Sequence, residues 1–211
     1  MKEWSLQILQ QSFGAYQTHC YILDLPQGQF IIDPGENAHQ WVITHCPKPI
    51  AILNTHGHFD HIWDNAKLQE HFDGIPLICH ELDAFLLQSD VFSLGLTPSH
   101  PTTLIQSHNT SQTLTLEGVE VKFHHFPGHT PGCCMIEIAG QIFSGDFIFY
   151  RSIGRSDFAY SSPKDMRESL LRFESLQEIA DMPLYPGHGE RTIARDEQAN
   201  VKFWLPRIEN A

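Results

Sequence analysis

The segment Thr55-His56-Gly57-His58-Phe59-Asp60-His61 places three imidazoles and a carboxylate within six residues. Histidine nitrogen and aspartate oxygen suit borderline divalent cations, zinc above all. A lone histidine in such a turn is an ordinary water-facing side chain, whereas four ligand-type residues at this spacing point to a metal. Three more stand in Gly-rich turns further along. They are His129 in Pro127-Gly128-His129-Thr130-Pro131-Gly132, Asp146 in Ser144-Gly145-Asp146, and His188 in Pro186-Gly187-His188-Gly189. Glycine permits close backbone approach and proline stiffens the turn. The 14 histidines outnumber the 13 lysines and arginines together, a surplus of the commonest metal-ligand side chain.

Such residues need strand ends to position them. Short β-branched or aromatic runs at 4–9, 20–25 and 29–32 read as a meander, the last two parted by Pro26-Gln27-Gly28. Ile32-Asp33-Pro34-Gly35 closes a strand with a turn, and helical spacing follows over 36–46. An apolar strand at 51–54 runs directly into the histidine motif, so that alternate side chains of the following loop can enter one pocket. A helix over 61–72, a strand at 76–80 and a helix over 81–88 come next, and 89–112 reads as a long polar surface segment. Strands are expected at 112–116, 119–124, 135–138 and 141–144. Ser162 caps a helix begun by Pro163, with Met166, Leu170, Leu171, Phe173, Leu176 and Ile179 along one face. A strand at 183–185 leads into the His188 turn, and 194–204 forms a last helix. Two batches of strands, each followed by helices, suggest sheets in the middle with helices outside.

At 211 residues and 41% hydrophobic composition the chain can bury one sizeable core, so a single domain over 1–211 is expected. A net charge of −12 disfavours nucleic-acid phosphates and anionic membranes as partners. No apolar run approaches a membrane span, and five cysteines without a CxxC argue against a disulfide framework. A soluble protein of the reducing cytoplasm is expected.

The series THGHFDH, PGHTPG, SGD and PGHG resembles the metallo-β-lactamase-fold superfamily over nearly the whole chain, and the IDPG turn matches as well. Within it, Ser152-Ile153-Gly154-Arg155-Ser156-Asp157 and the Gly187-His188-Gly189 ending with Thr192-Ile193 resemble short glyoxalase II-like proteins, the hydroxyacylglutathione hydrolases. The resemblance implies an α+β fold, a four-layer αββα sandwich with two divalent metal ions at one edge. The ions would be zinc, with iron or manganese as alternatives. One would be held by His56, His58 and His129, the other by Asp60, His61 and His188, with Asp146 bridging. A hydroxide shared by the cations would attack a thioester such as S-D-lactoylglutathione or a related acylglutathione, and Asp60 would orient it or move its proton. Persulfide dioxygenases share these positions, so an iron-dependent dioxygenase using His56, His129 and Asp146 is the alternative, and a lactone or other ester hydrolase is another. The implied partner is a small-molecule glutathione conjugate.

Several residues admit two roles. Asp33 either orients a ligand histidine or caps the following helix. Arg155 either pairs with Asp157 or meets an anionic substrate, and Arg151, Lys122 and Arg191 are further carboxylate-gripping candidates. Phe59 either walls the substrate pocket or packs in the core. His124 and His125 occupy successive strand positions, point to opposite faces and are not expected to be ligands. Cys133 and Cys134 are read as small buried residues. Thr192 is read as bonding back to the His188 loop.

Overall fold

The computed structural model describes residues 6–208; Trp4 and Ser5 of the first expected strand lie outside the described residues. The chain forms two compact units. The first runs to Ile105 and includes Thr115–Val119, and the second comprises Gln106–Leu114 and the chain from Glu120 onward.

The first unit is built on a six-stranded sheet, β1 (Gln7–Phe13), β2 (Thr18–Leu25), β3 (Gly28–Ile32), β4 (Pro49–Leu53), β5 (Leu77–His80) and β6 (Thr103–Ile105), lying in sequence order. Its helices are α1 (His39–His45), α2 (Phe59–Ile62), α3 (Asn65–His71) and α4 (Ala84–Gln88). The strands β1 to β3 form an antiparallel meander, and β3 to β6 are parallel. Parallel neighbours need a crossover, and the helices supply it. Every residue of β3 is buried, as expected for a strand covered on both faces. Ile22, Ile31, Ile52 and Leu77 pack with Val42, Leu68 and Leu87, and each such side chain contributes about 1.5–3 kcal/mol on burial. Ile32 pairs with Leu53, so the ends of β3 and β4 are adjacent and the turns beyond them, at Asp33 and at Thr55-His56, lie side by side.

Two expectations change here. The helix read over 61–72 is two helices, and α2 begins inside the histidine motif at Phe59. The break falls at Trp63 and Asp64. The fully buried Asp64 carboxylate takes hydrogen bonds from His39 N (2.9 Å), His39 Nδ1 (2.8 Å) and Lys67 Nζ (2.7 Å). These bonds to α1 and α3 outweigh the continuity of one helix. The supposed surface segment 89–112 contains β6 and buries Leu96, Ser99 and Ile105. Ser99 N donates to Leu87 O and Thr102 N to Leu77 O, which docks the segment on the edge of β5.

The second unit carries a six-stranded sheet in the order β14-β13-β10-β9-β8-β7. These are β7 (Ser111–Leu116), β8 (Val119–His125), β9 (Cys134–Ile138), β10 (Gln141–Gly145), β13 (Pro183–Pro186) and β14 (Thr192–Ile193), with a small hairpin of β11 (Ile148–Phe149) and β12 (Ser152–Ile153). Three helices follow in this unit, α5 (Pro163–Ser175), α6 (Ala194–Gln198) and α7 (Val201–Ile208). Ser162 Oγ accepts from Asp165 N at 3.2 Å, the expected cap, and Pro163 opens α5. Its buried face is Met166, Ser169, Leu170 and Phe173. Leu171, expected on that face, is 40% exposed, because the helical period skips it. The helix expected over 194–204 is divided between Gln198 and Val201, where Asn200 Nδ2 turns back to Glu197 Oε2 at 3.0 Å. The strands β10 and β13 are parallel with Gly145 opposite Pro186, so the turns that carry Asp146 and His188 are neighbours.

Candidate metal centre

In the first unit the site grows from the adjacent ends of β3 and β4. Asp33 is buried, and its carboxylate accepts from Thr55 N (2.8 Å), Thr55 Oγ1 (2.6 Å) and His61 Nδ1 (3.0 Å). A carboxylate can only accept, so His61 carries its proton on Nδ1 and presents a lone pair at Nε2. The Thr55 hydroxyl spends its single proton on Asp33. Its 3.1 Å contact with His56 Nδ1 is therefore a bond donated by the imidazole, which leaves the His56 lone pair at Nε2. One aspartate thus sets the tautomers of two histidines whose ring centroids are 4.1 Å apart. Asp33 bonds His61 and does not cap α1, whose cap position is Ala38.

Asp60 is held by Thr18, whose hydroxyl donates to Asp60 Oδ2 at 2.6 Å, the length of a charge-assisted bond. The same oxygen lies 3.5 Å from His61 Nε2. With His61 neutral both atoms present lone pairs, and a cation between them would turn the contact favourable. His58 stands at the cap position of α2, its ring 5.0 Å from that of His56. Gly35 explains the Asp-Pro-Gly turn, because a Cβ there would lie 2.1 Å from the Asp60 carbonyl oxygen. The motif loop is also fastened by Asp83, buried, whose Oδ2 accepts from Gly57 N at 2.7 Å.

In the second unit His129 Nδ1 donates to the Arg155 carbonyl at 2.7 Å, so Nε2 again carries the lone pair. It faces Asp146 Oδ2 at 3.5 Å, and His188 Nε2 faces the same oxygen at 3.3 Å. Ligand atoms that each sit about 2.0–2.2 Å from a tetrahedral ion are separated by about 3.3–3.5 Å. An ordinary N–H···O bond is shorter, about 2.7–3.2 Å. The donor set of each unit therefore fits a divalent cation. Gly154 is needed for close approach, since a Cβ would fall 1.7 Å from the Asp146 carbonyl oxygen and 3.1 Å from His129 Nδ1.

Arg155 contributes its carbonyl to His129, and its guanidinium forks onto Asp157 (Nε–Oδ1 and Nη2–Oδ2, both 2.8 Å) above the Phe158 ring. This fork holds the Asp157 carboxyl below the usual carboxylate range. Arg151 is exposed beside Tyr150, and its backbone N–H donates to Glu197 Oε2. Phe59 is half-buried among Tyr16, Trp63 and Phe92. Thr192 is a correction. Its hydroxyl donates to the buried Glu197 Oε1 at 2.7 Å, not to the His188 loop, which is held by Gly187 N to Gly145 O. His124 bonds Ser111 Oγ and Glu137 Oε2, both at 2.8 Å, and burial lowers its pKa. His125 bonds Asn109 N and the Pro131 carbonyl. Both nitrogens of each ring are engaged in hydrogen bonds.

A family model described as the metallo-beta-lactamase superfamily matches residues 13–188, a span that runs through both units. The chain belongs to this superfamily of metal-dependent hydrolases and has its mixed α+β fold. It is 31% identical over 200 residues to hydroxyacylglutathione hydrolase GloC of Haemophilus influenzae, covering 90% of this chain and 93% of the relative. Among solved structures it is similar to TTHA1623 in a di-iron-bound form, with 30% identity, a TM-score of 0.75, and coverage of 92% and 99%. It is similar also to BLEG-1, a B3 metallo-β-lactamase, with 27% identity, a TM-score of 0.78, and coverage of 94% and 99%.

Proposed function

We propose that the donor sets of the two units are halves of one dinuclear centre in a thioester hydrolase acting on S-D-lactoylglutathione or a related acylglutathione. His56, His58 and His129 would hold one divalent ion, Asp60, His61 and His188 the other, and Asp146 would be shared, with zinc as the native metal. The observation that carries this reading is the set of imidazole Nε2 atoms 3.3–3.5 Å from carboxylate oxygens, the spacing of two ligands on one tetrahedral ion. The similarity to GloC supports the thioester, and the di-iron-bound relative supports two metals. When bound, the ions supply a water activated at neutral pH and polarise the scissile carbonyl.

The chain's own residues do the rest. Asp33 and the Arg155 carbonyl keep three imidazoles in the metal-binding tautomer. Thr18 fixes the Asp60 carboxylate, which holds the attacking water and takes its proton. The five free, buried thiols support a reducing, cytoplasmic setting, and among the described residues no helix is long and apolar enough to cross a membrane. The test is loss of the S-D-lactoylglutathione thioester with metal-replete protein beside Asp60→Ala. Turnover of about 1–10³ s⁻¹, abolished in the variant, is expected. No turnover by metal-replete protein would overturn the assignment.

A further inference from the structure

The first unit contains a pocket of about 190 Å³ lined by Phe13, Tyr16, Glu36, Phe59, Asp60 and Trp63. The rings of Phe13, Tyr16, Phe59 and Trp63 line it beside Leu94, three of them at steep mutual angles. Tyr16 meets Phe59 at 5.3 Å between centroids and 77°, and Phe59 meets Trp63 at 6.3 Å and 76°. Each ring carries a negative quadrupole on its faces. Glu36 stands among them, packed against Gly14 of the β1–β2 turn, and its carboxylate makes no ion pair or hydrogen bond among the described residues. No lysine, arginine or histidine lines the space. The volume lies below the roughly 300–1,000 Å³ of pockets that enclose a whole drug-sized ligand. It suits one small group rather than an entire acylglutathione.

Aromatic faces closed by a carboxylate attract a cation and repel an anion. The net charge of −12 acts in the same direction. From this geometry we propose that the pocket binds a small alkylammonium group carried by the substrate's acyl chain. Glu36 is then the residue that sets this preference. The inference rests on the hydrolytic reading of the Asp60 site, because Asp60 lines the pocket and places the ammonium on the same molecule as the scissile carbonyl. Among the residues lining the pocket, no basic side chain would pair with a glutathione carboxylate.

The test uses the metal-replete full-length protein at constant ionic strength. Two thioesters of one thiol are compared, 4-(trimethylammonio)butanoyl and its uncharged isostere 5,5-dimethylhexanoyl; the ammonium of the first lies too far from the carbonyl to alter its reactivity. A preference of about tenfold in kcat/KM for the cationic acyl group is expected, expressed in KM, and Glu36→Gln should collapse the ratio toward one. Independently of turnover, tetramethylammonium should perturb the fluorescence of the protein at millimolar concentration. That change should be lost in Trp63→Phe and weakened in Glu36→Gln. Hydrolysis of both thioesters with no preference would overturn the pocket assignment and leave the hydrolase standing. Binding of tetramethylammonium dependent on Glu36, with no thioester cleaved, would support the pocket and sink the hydrolase. Absence of both binding and preference overturns the proposal.

Discussion

Replacing Asp33 by Asn exchanges one acceptor oxygen for an NH2 donor in a carboxylate that now takes three hydrogen bonds. The backbone is a built-in control. Asp33 sits at φ 50°, a region that Asn tolerates, so the substitution adds no strain of its own. If the amide nitrogen takes the place of Oδ2, it faces the proton on His61 Nδ1. The imidazole must move that proton to Nε2, where the lone pair is needed. Thr55 then accepts from the new amide and donates to His56 Nδ1, which reverses His56 as well. If the amide instead turns its nitrogen toward Thr55 N, two donors oppose each other. Either way one bond to a charged acceptor disappears, worth about 1.5–3 kcal/mol. The metal-free protein should lose about that much in urea unfolding. Zinc affinity, followed by competition with a chromophoric chelator, should fall about 10–100-fold, equivalent to roughly 1.4–2.7 kcal/mol. Thr55→Val, which removes only the relay to His56, should weaken zinc by a smaller factor. An Asp33→Asn protein that unfolds more easily yet binds zinc as tightly as the parent would refute the tautomer argument.

Three further outcomes follow from particular contacts. Gly154→Ala should cost more than about 3 kcal/mol in urea unfolding and reduce metal uptake, because its Cβ meets the Asp146 backbone rather than a flexible side-chain end; retention of both would contradict the close approach. Burial, as the largest cause, holds the His124 pKa below that of an unfolded histidine, so below about pH 6.5 the native state binds fewer protons than the unfolded state and stability should decline from there. The urea midpoint of His124→Gln, lower at pH 7, should fall less steeply between pH 7 and 5, and an unchanged slope would count against the assignment. All five cysteines are buried; desolvation raises the thiol pKa values of Cys20, Cys46 and Cys79, that of Cys46 to about 12. Ellman's reagent should react with them only slowly in native protein and with all five after unfolding, and rapid native labelling would show the packing to be wrong.

The candidate donors stand out in the sequence because their signals are local. His56, His58, Asp60 and His61 lie within six residues after a strand, and His129, Asp146 and His188 each lie in a Gly-containing turn whose steric need is written in the same few residues. The cap of α5 was legible for the same reason, since Ser162 and Pro163 act within one helical turn. The residues that complete the site carried no such mark. Thr18 reaches Asp60 across 42 positions, Asp83 reaches Gly57 across 26, and Glu197 meets the Arg151 backbone across 46. Nothing in the immediate neighbours of these residues distinguishes them from surface polar side chains. The breaks in the helices at Asp64 and at Asn200 were hidden likewise, because each comes from side-chain hydrogen bonds that a periodic pattern does not record.

By itself the sequence determined which atoms are able to bind a metal, since residue type and spacing set donor chemistry and local turn geometry. Only the tertiary structure decided which nitrogen of each imidazole carries the proton and where its lone pair points. That choice belongs to the partner on the far side of the ring. The parallel pairing of β3 with β4 brings Asp33 to Thr55 and His61, and the close passage of Gly154 brings the Arg155 carbonyl to His129. A hydrogen bond acts over about 3 Å, whereas the chain separating its partners here spans up to 28 residues.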